Sequence, residues 1–184
     1  MTPVSRYQGP IRLLLLDVDG VLTDGSLYVG ADGESFKCFN VKDGLAVGLL
    51  RAHGIRTGIL SGRSSAALDR RIEQLEIDIA LTGRIEKRHA IAELIDSTGI
   101  DADEIAYVGD DVVDLPLIGL VGQFFAPSDA HPLVLQKCDH ILGAQGGKGA
   151  VREAAEAILT AGGLSLEQSY EPLLNGWENY RAAQ

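Results

Sequence analysis

An apolar run at residues 13–16 ends in two acidic residues, Asp17 and Asp19, and Gly20 follows them directly. An uninterrupted apolar run of this kind is typical of a strand that is buried on both faces of a parallel sheet. Ligands of such sheets bind outside the carboxyl ends of the strands. The run therefore predicts an α/β fold with Asp17 and Asp19 at the functional edge of the sheet. The motif alone leaves open a simpler interpretation, a strand that ends in an Asp-Gly turn.

Apolar runs alternate with helical patterns along the rest of the chain. Strands are predicted at 11–17, 55–60, 78–81, 104–108, 122–126 and 139–142, and helices at 42–53, 65–75, 86–98, 112–119, 131–137 and 149–162. This alternation, with short connections, predicts a mainly parallel sheet flanked by helices. Residues 26–29 and 35–39 flank a Gly- and Asp-containing turn at 30–33 and predict a β-hairpin just after the first strand.

Length and charge limit the classes of protein that the chain can belong to. Its 184 residues predict a single domain, with a core at about 11–163, a hairpin at about 26–39 and a tail at 164–184. The formal net charge of −10 argues against nucleic acid or an anionic membrane as the main partner. Two cysteines, no apolar leader in residues 1–10 and no bilayer-length apolar run predict a cytoplasmic protein.

Three later apolar runs are also followed by polar residues of chemical interest. Ser61 closes the run at 55–60, Lys87 follows the run at 78–81, and Asp110 closes the run at 104–108. In this order the four motifs resemble those of the haloacid dehalogenase-like (HAD) phosphohydrolases. That family inserts cap domains after the first motif or between the second and third motifs. Neither gap here has room for one, so the resemblance implies a HAD-like Rossmannoid fold without a cap.

The resemblance implies a role for each motif residue. Asp17 would be the nucleophile that forms an aspartyl phosphate, and Asp19 the general acid and base. Ser61 and Lys87 would hold the transferring phosphoryl group. Mg²⁺ would be bound by the carboxylate of Asp17, the backbone carbonyl of Asp19 and the carboxylate of Asp110.

Two further acids, Asp111 and Asp114, would hold Lys87 or a metal-bound water. Acidic residues also stabilise the start of a helix without any metal, and a lone lysine early in a helix is usually solvated. Both simpler interpretations stay open for the individual residues.

The residues around Ser61 narrow the expected substrate. Gly62, Arg63 and Arg71 are predicted to bind the rest of the substrate, because arginine matches a carboxylate in a bidentate manner, and Arg70 is the alternative to Arg71. Residues 61–65 and 69–71, together with 39–44 and 146–153, resemble the 3-deoxy-D-manno-octulosonate 8-phosphate (KDO 8-phosphate) phosphatases. The resemblance implies a small acidic sugar phosphate as substrate and a step towards lipopolysaccharide.

Three alternative functions stay open at this point. The first is a phosphatase for a sialic-acid-type (KDN or N-acylneuraminate) 9-phosphate, which would share the fold and the chemistry. The second is a non-catalytic HAD-like module of a sugar cytidylyltransferase system, against which the intact acidic set argues. The third is a nucleic-acid end phosphatase, against which the net charge argues.

A site without a cap needs another cover, since excluding water strengthens the electrostatic interactions inside it. The resemblance implies a homo-oligomer, specifically a tetramer, in which the hairpin with Tyr28, Phe36 and Phe39 meets a neighbouring subunit. The alternative is a hairpin that packs only on its own subunit. The tail at 164–184 has no clear counterpart in the resemblance, and the sequence leaves its role open.

Overall fold

The first strand, β1 (Leu13–Leu16), lies in the interior of a six-stranded sheet. The computed structural model describes residues 7–31 and 33–182, and the side chains of these up to residue 176. The other strands of the sheet are β4 (Arg56–Leu60), β5 (Ile79–Leu81), β6 (Ile105–Val108), β7 (Gln123–Ala126) and β8 (His140–Ile141). They lie in the order β5-β4-β1-β6-β7-β8, and every pairing is parallel. The predicted α/β fold is confirmed.

Helices cover the sheet and connect its strands. They are α1 (Val41–Ala52), α2 (Ala66–Leu75), α3 (Lys87–Thr98), α4 (Pro132–Leu135), α5 (Ala150–Ala161) and α6 (Leu166–Ala182), with 3₁₀ turns at Ala102–Glu104 and Val112–Leu117. The helix predicted at 112–119 is therefore a 3₁₀ segment instead of an α-helix. It contains Pro116, which cannot donate a backbone hydrogen bond. Among the described residues, no helix has both the length and the apolar character that crossing a bilayer requires.

The side chains of β1 alternate between two apolar layers. Leu14 and Leu16 pack with residues of α1 and α5, while Leu13 and Leu15 pack with residues of α3. All four leucines are fully buried. This alternation follows from the two-residue period of a strand, and burial on both faces explains why the run has no polar residue.

The hairpin predicted after the first strand is present as β2 (Tyr28–Gly30) and β3 (Gly33–Phe36), which pair in an antiparallel manner. The rings of Tyr28 and Phe36 stack with their centroids 4.3 Å apart, and both side chains are exposed. Phe39 differs from these two, since it packs against the core of its own chain. Asp32, in the predicted turn, lies outside the described residues.

The tail is helical over most of its length. Pro172 and Gly176 interrupt its helical pattern in the sequence, and no helix was predicted there. Tyr170 and Leu173 nevertheless pack against the core beside α1 and α5. The Nε2 atom of His53 also lies 2.7 Å from the backbone oxygen of Ser169. Packing on the core stabilises this helix where local propensity does not.

A glycine-rich segment at 146–149 packs against the chain that follows Asp19. The backbone N–H of Gly147 donates to the carbonyl of Val21 at 2.9 Å, and a Cβ atom on Gly146 would lie 1.9 Å from the carbonyl oxygen of Gly20. Asp43 of α1 holds the end of this segment, because its buried carboxylate accepts from the backbone N–H groups of Gly149 and Arg152. The carboxylate of Asp43 thus caps α5 from a neighbouring helix.

We expect Asp43→Ala to lower the free energy of unfolding by about 2 kcal/mol, because two backbone donors at the start of α5 lose their acceptor. Equilibrium unfolding in urea measures this change. Asp69→Ala is the matched control, since Asp69 is an exposed acid in the first turn of α2. Equal losses in the two variants would contradict the capping role of Asp43.

Candidate active site

Three adjacent strands end at one edge of the sheet and bring the predicted site residues together. Leu16 lies opposite Ile59 of β4 and Val108 of β6, so Asp17, Ser61 and Asp110 all follow at or near the same level. These side chains border a cavity of about 290 Å³. Its lining residues are Asp17, Asp19, Ser61, Gly62, Arg63, Ile85, Lys87, Asp110, Asp111 and Val113.

Lys87, the first residue of α3, is a buried residue of the cavity lining. Its Nζ atom donates to Asp17 Oδ2 at 2.8 Å, to Asp114 Oδ1 at 2.5 Å and to the Tyr107 hydroxyl at 2.9 Å. An ammonium group has three donors, and here each has an acceptor. Burial by itself lowers the pKa of Lys87, but the attraction of Asp17 and Asp114 outweighs burial and leaves the pKa raised. Lys87 is therefore a cation, despite being almost inaccessible to water.

Asp114 uses both of its oxygens within the protein. Oδ1 accepts from Lys87 and from the Tyr107 hydroxyl at 2.7 Å, and Oδ2 accepts from the backbone N–H groups of Asp110 and Asp111 at 3.1 and 3.2 Å. Burial raises the pKa of Tyr107 well above its usual range, so the hydroxyl keeps the proton that it donates. Asp114 thus has the contact with Lys87 that was predicted for it.

The side chain of Asp111 does something different from the prediction. It accepts from the backbone N–H of Val112 at 2.7 Å and caps the 3₁₀ segment at Val112–Leu117. The two acids therefore have different roles, since Asp114 bonds Lys87 and Asp111 caps the start of a 3₁₀ segment at the cavity edge.

The pKa values of Asp17 and Asp110 are both raised well above the usual range of an aspartate. Burial raises the pKa of Asp17 to about 6; Lys87 opposes this shift and Asp114 adds to it. Burial, together with repulsion by Asp17 and Asp114, raises the pKa of Asp110 to about 8. Oδ1 of Asp110 is buried and has no hydrogen-bond partner among the described residues. Buried polar atoms are nearly always paired, so this oxygen requires a partner that the described part of the chain does not supply.

A divalent cation fits this arrangement. Asp17, Asp110 and Asp114 can each bring one carboxylate oxygen to within 4.8 Å of the others. Because Asp114 is already saturated with hydrogen bonds, the oxygens of Asp17 and Asp110 are the better donors. Gly20 makes room for Asp110, because a Cβ atom on Gly20 would lie 2.1 Å from Asp110 Oδ2. Hard carboxylate oxygens of this kind suit Mg²⁺.

Asp19 is held by two cationic side chains. Lys37 Nζ donates to Asp19 Oδ1 at 2.5 Å, and Arg63 Nε lies 3.4 Å from Asp19 Oδ2. Glu34 joins both cations, at 3.1 Å from Lys37 and 3.3 Å from Arg63. The sequence analysis did not predict a role for Glu34, which lies in β3, or for Lys37, which directly follows it. No pattern in the sequence connects either residue to Asp19.

Known proteins are similar to this chain in both sequence and architecture. A family model described as haloacid dehalogenase-like hydrolase matches residues 80–153. The 3-deoxy-D-manno-octulosonate 8-phosphate phosphatase of Haemophilus influenzae is 45% identical over 155 residues, which are 84% of this chain and 86% of that protein. The chain belongs to the haloacid dehalogenase-like hydrolases. The predicted class of enzyme, a phosphoric monoester hydrolase, is the class of these relatives.

Solved structures of HAD-like relatives agree. The cobalt-bound form of the Haemophilus influenzae phosphatase has a TM-score of 0.82 and 44% identity, and the match covers 86% of this chain and 92% of that one. The phosphatase of Moraxella catarrhalis, solved with magnesium ion, phosphate ion and KDO, has a TM-score of 0.80 and 37% identity, covering 84% and 89% of the two chains.

The substrate-binding residues predicted for this HAD-like hydrolase do not all lie at the cavity. Arg63 is half-exposed at the cavity, and its backbone N–H donates to Ser61 Oγ at 3.3 Å. Arg71 is not among the described residues that line the cavity. Its guanidinium lies 5.5 Å from the centroid of the Phe39 ring and donates to Gln74. Arg70, the alternative, is exposed and paired with Glu73.

We expect Mg²⁺ to raise the melting temperature of this HAD-like hydrolase more at pH 8 than at pH 6. Without metal, the pKa of Asp110 is about 8, above the usual value of about 4 for an aspartate. Protonation of Asp110 therefore stabilises the fold fully below about pH 4, and this contribution is lost progressively as the pH rises from there to about 8. Mg²⁺ binds the ionised form, so its effect grows over the same interval.

Thermal unfolding in EDTA and in MgCl₂, at both pH values, measures this difference. Asp110→Asn is the control, because it keeps the shape of the side chain and removes the titrating charge. A Mg²⁺-induced shift of the same size in wild type and Asp110→Asn would reject Asp110 as a ligand.

Proposed function

We propose that this chain is a Mg²⁺-dependent phosphatase that hydrolyses KDO 8-phosphate to KDO and inorganic phosphate through an aspartyl phosphate on Asp17. The observation that supports this most is the pair of buried carboxylates, Asp17 and Asp110, next to the buried ammonium of Lys87 at the bottom of an open cavity. This combination suits an anionic phosphate that must meet an anionic nucleophile. Mg²⁺ bound by Asp17, Asp110 and the backbone carbonyl of Asp19 would supply the positive charge for that encounter.

Asp17 is proposed as the nucleophile. One lone pair of its carboxylate forms a bond to phosphorus, while the electron pair of the bridging P–O bond leaves with the sugar oxygen. That oxygen takes a proton from Asp19, which becomes a carboxylate. In the second half Asp19 takes a proton from water, whose oxygen attacks phosphorus, and the electron pair of the P–O bond returns to Asp17.

Ser61 and Lys87 are proposed to hold the transferring phosphoryl group, Ser61 by a hydrogen bond and Lys87 by its charge. Lys87 contributes a permanent positive charge beside Asp17, and the Ser61 hydroxyl contributes a donor at the cavity wall. Asp114 and the Tyr107 hydroxyl hold Lys87 in place by direct hydrogen bonds. A catalytic group held in this way does not have to reorganise during the reaction.

The rest of the substrate is proposed to bind at the mouth of the cavity. Arg63 is half-exposed there and can exchange its contacts with Glu34 and Asp19 for a sugar carboxylate. The Moraxella catarrhalis relative, which was solved with KDO and phosphate, supports KDO 8-phosphate over a nine-carbon 9-phosphate. The presence of the full acidic set with Lys87 disfavours a non-catalytic module. We correspondingly propose that the enzyme acts in the cytoplasm, in a step towards lipopolysaccharide.

Phosphate release from KDO 8-phosphate, a sialic-acid-type 9-phosphate and p-nitrophenyl phosphate tests this function. We expect the highest kcat/KM with KDO 8-phosphate, and a loss on the order of 10⁴-fold or more in Asp17→Asn. Arg63→Ala should lower kcat/KM for KDO 8-phosphate by roughly 10–100-fold, the value of one charged hydrogen bond, with a smaller effect on the aryl phosphate. Arg84→Ala is the control, since Arg84 is exposed and pairs with Glu93.

A clear preference for the 9-phosphate would support the alternative substrate. An equal loss on sugar and aryl phosphates in Arg63→Ala would reject the pairing of Arg63 with a carboxylate. Substantial turnover by a folded Asp17→Asn protein would reject the aspartyl phosphate.

We also propose that the chain forms a homo-tetramer in which the hairpin covers the active site of a neighbour. The hairpin exposes Tyr28, Val29 and Phe36, with 38%, 70% and 54% of each residue accessible. Ile85 and Val113, which line the cavity, are also exposed apolar residues. Exposed apolar surfaces often mark interaction sites, and closed symmetric assemblies are the usual outcome.

Phe36→Glu should place a charge in this contact and weaken association, which light scattering at several concentrations measures. Activity on the sugar phosphate should fall with it, because the cavity stays open to water. Leu133→Glu is the matched control, since Leu133 is an exposed apolar residue of α4, an element outside the hairpin. A fully active monomer in the wild type would end this proposal.

A further inference from the structure

We infer that Lys37 positions the carboxyl group of Asp19, and that the hairpin therefore supplies a working part of the active site of its own chain. This inference rests on the role of Asp19 as general acid and base in the proposed function. The hairpin then has a second role, besides the predicted contact with a neighbouring subunit.

The contact between Lys37 and Asp19 is short and shielded. Lys37 directly follows β3, and its Nζ atom donates to Asp19 Oδ1 at 2.5 Å while lying 3.1 Å from Glu34 Oε2. Only 2% of the Lys37 side chain is exposed, with 21% of Asp19 and 9% of Glu34. Water and salt screen such a group much less than a surface pair, and removing one partner leaves a buried charge without compensation.

The two oxygens of Asp19 are held unequally. Oδ1 takes the short bond from the buried Lys37, whereas Oδ2 lies 3.4 Å from Nε of Arg63, whose side chain is 53% exposed. When a substrate carboxylate binds Arg63, Asp19 Oδ2 loses its contact with Arg63 while Oδ1 still accepts from Lys37. Oδ2 is then free to take up a proton from water and to give it to the departing sugar oxygen, whose electron pair comes from the broken P–O bond.

The position of Lys37 depends in turn on the hairpin. Tyr28 and Phe36 stack across the two strands, and Phe36 is the residue before Lys37. Glu34, on the same strand, bonds Lys37 and Arg63 and so connects the hairpin to the loop after β4. The hairpin, Asp19 and the mouth of the cavity therefore form one connected set of charges. A displacement of about 1 Å at a reacting group is enough to lower a rate by about 10²-fold.

Leaving groups of different basicity separate this role from a merely structural one. A sugar oxygen needs a proton in order to leave, whereas p-nitrophenolate leaves without one. The parameter kcat/KM reports the steps up to departure of the leaving group, so it is measured for KDO 8-phosphate, or the sugar phosphate preferred in the substrate panel, and for p-nitrophenyl phosphate. The variants are Lys37→Met, Lys37→Arg, Asp19→Asn and the double variant of Asp19→Asn with Lys37→Met.

We expect Lys37→Met to lower kcat/KM for the sugar phosphate by on the order of 10²-fold and to leave the aryl phosphate nearly unchanged. Lys37→Arg, which keeps a cationic donor, should recover most of the loss. In the Asp19→Asn background, Lys37→Met should add little, because the group that it positions is already disabled. Lys137→Met, which removes an exposed lysine elsewhere, should behave like wild type.

An equal loss on both substrates, no loss, or full additivity with Asp19→Asn would overturn the inference. If Asp19→Asn discriminates between the leaving groups and Lys37→Met does not, only the positioning role of Lys37 is wrong. If Asp19→Asn itself impairs both substrates equally, the general-acid role of Asp19 fails and the inference fails with it. Circular dichroism and thermal unfolding of each variant confirm that the comparison is made between folded proteins.

Discussion

The repulsion between carboxylates that share one low-dielectric site is the constraint on which this structure depends. Asp17, Asp110 and Asp114 come within 4.8 Å of one another, and Lys87 is the cation buried among them. Burial raises the pKa values of Asp17 and Asp110, and one ammonium among three carboxylates does not bring them back to their usual range. The site therefore favours additional positive charge, and this preference is the physical basis for proposing Mg²⁺ and a reaction at phosphorus.

The scaffold around this site prevents the acids from moving apart. The backbone amides of Asp110 and Asp111 bind Asp114, which ties the loop after β6 to Lys87. On the other side, the glycine-rich segment at 146–149 packs against the turn after Asp19, and Asp43 holds that segment through the start of α5. A carboxylate in α1 thus contributes to the geometry of a site that it does not touch.

The hairpin addresses two physical problems of a site that has no cap. Its exposed aromatic pair, Tyr28 and Phe36, offers a surface for a neighbouring subunit, which would exclude water from the cavity. Its buried end brings Lys37 to Asp19 within the same chain. Assembly and proton transfer would then depend on the same short segment, because the stack and the ammonium are adjacent in it.

The sequence by itself determined the sheet and three of the residues at its edge. Uninterrupted apolar runs specify buried parallel strands, and polar residues that directly follow such strands must lie at one edge, so Asp17, Ser61 and Asp110 could be predicted to converge. Only the tertiary structure decided which side chains meet there, namely Lys37 with Asp19 and Tyr107 with Lys87. It also placed Arg71 over the Phe39 ring, where the sequence predicted a substrate contact. Helix α6 was likewise decided by packing. Local patterns report how a segment is buried, whereas these contacts depend on how separate segments are placed relative to one another.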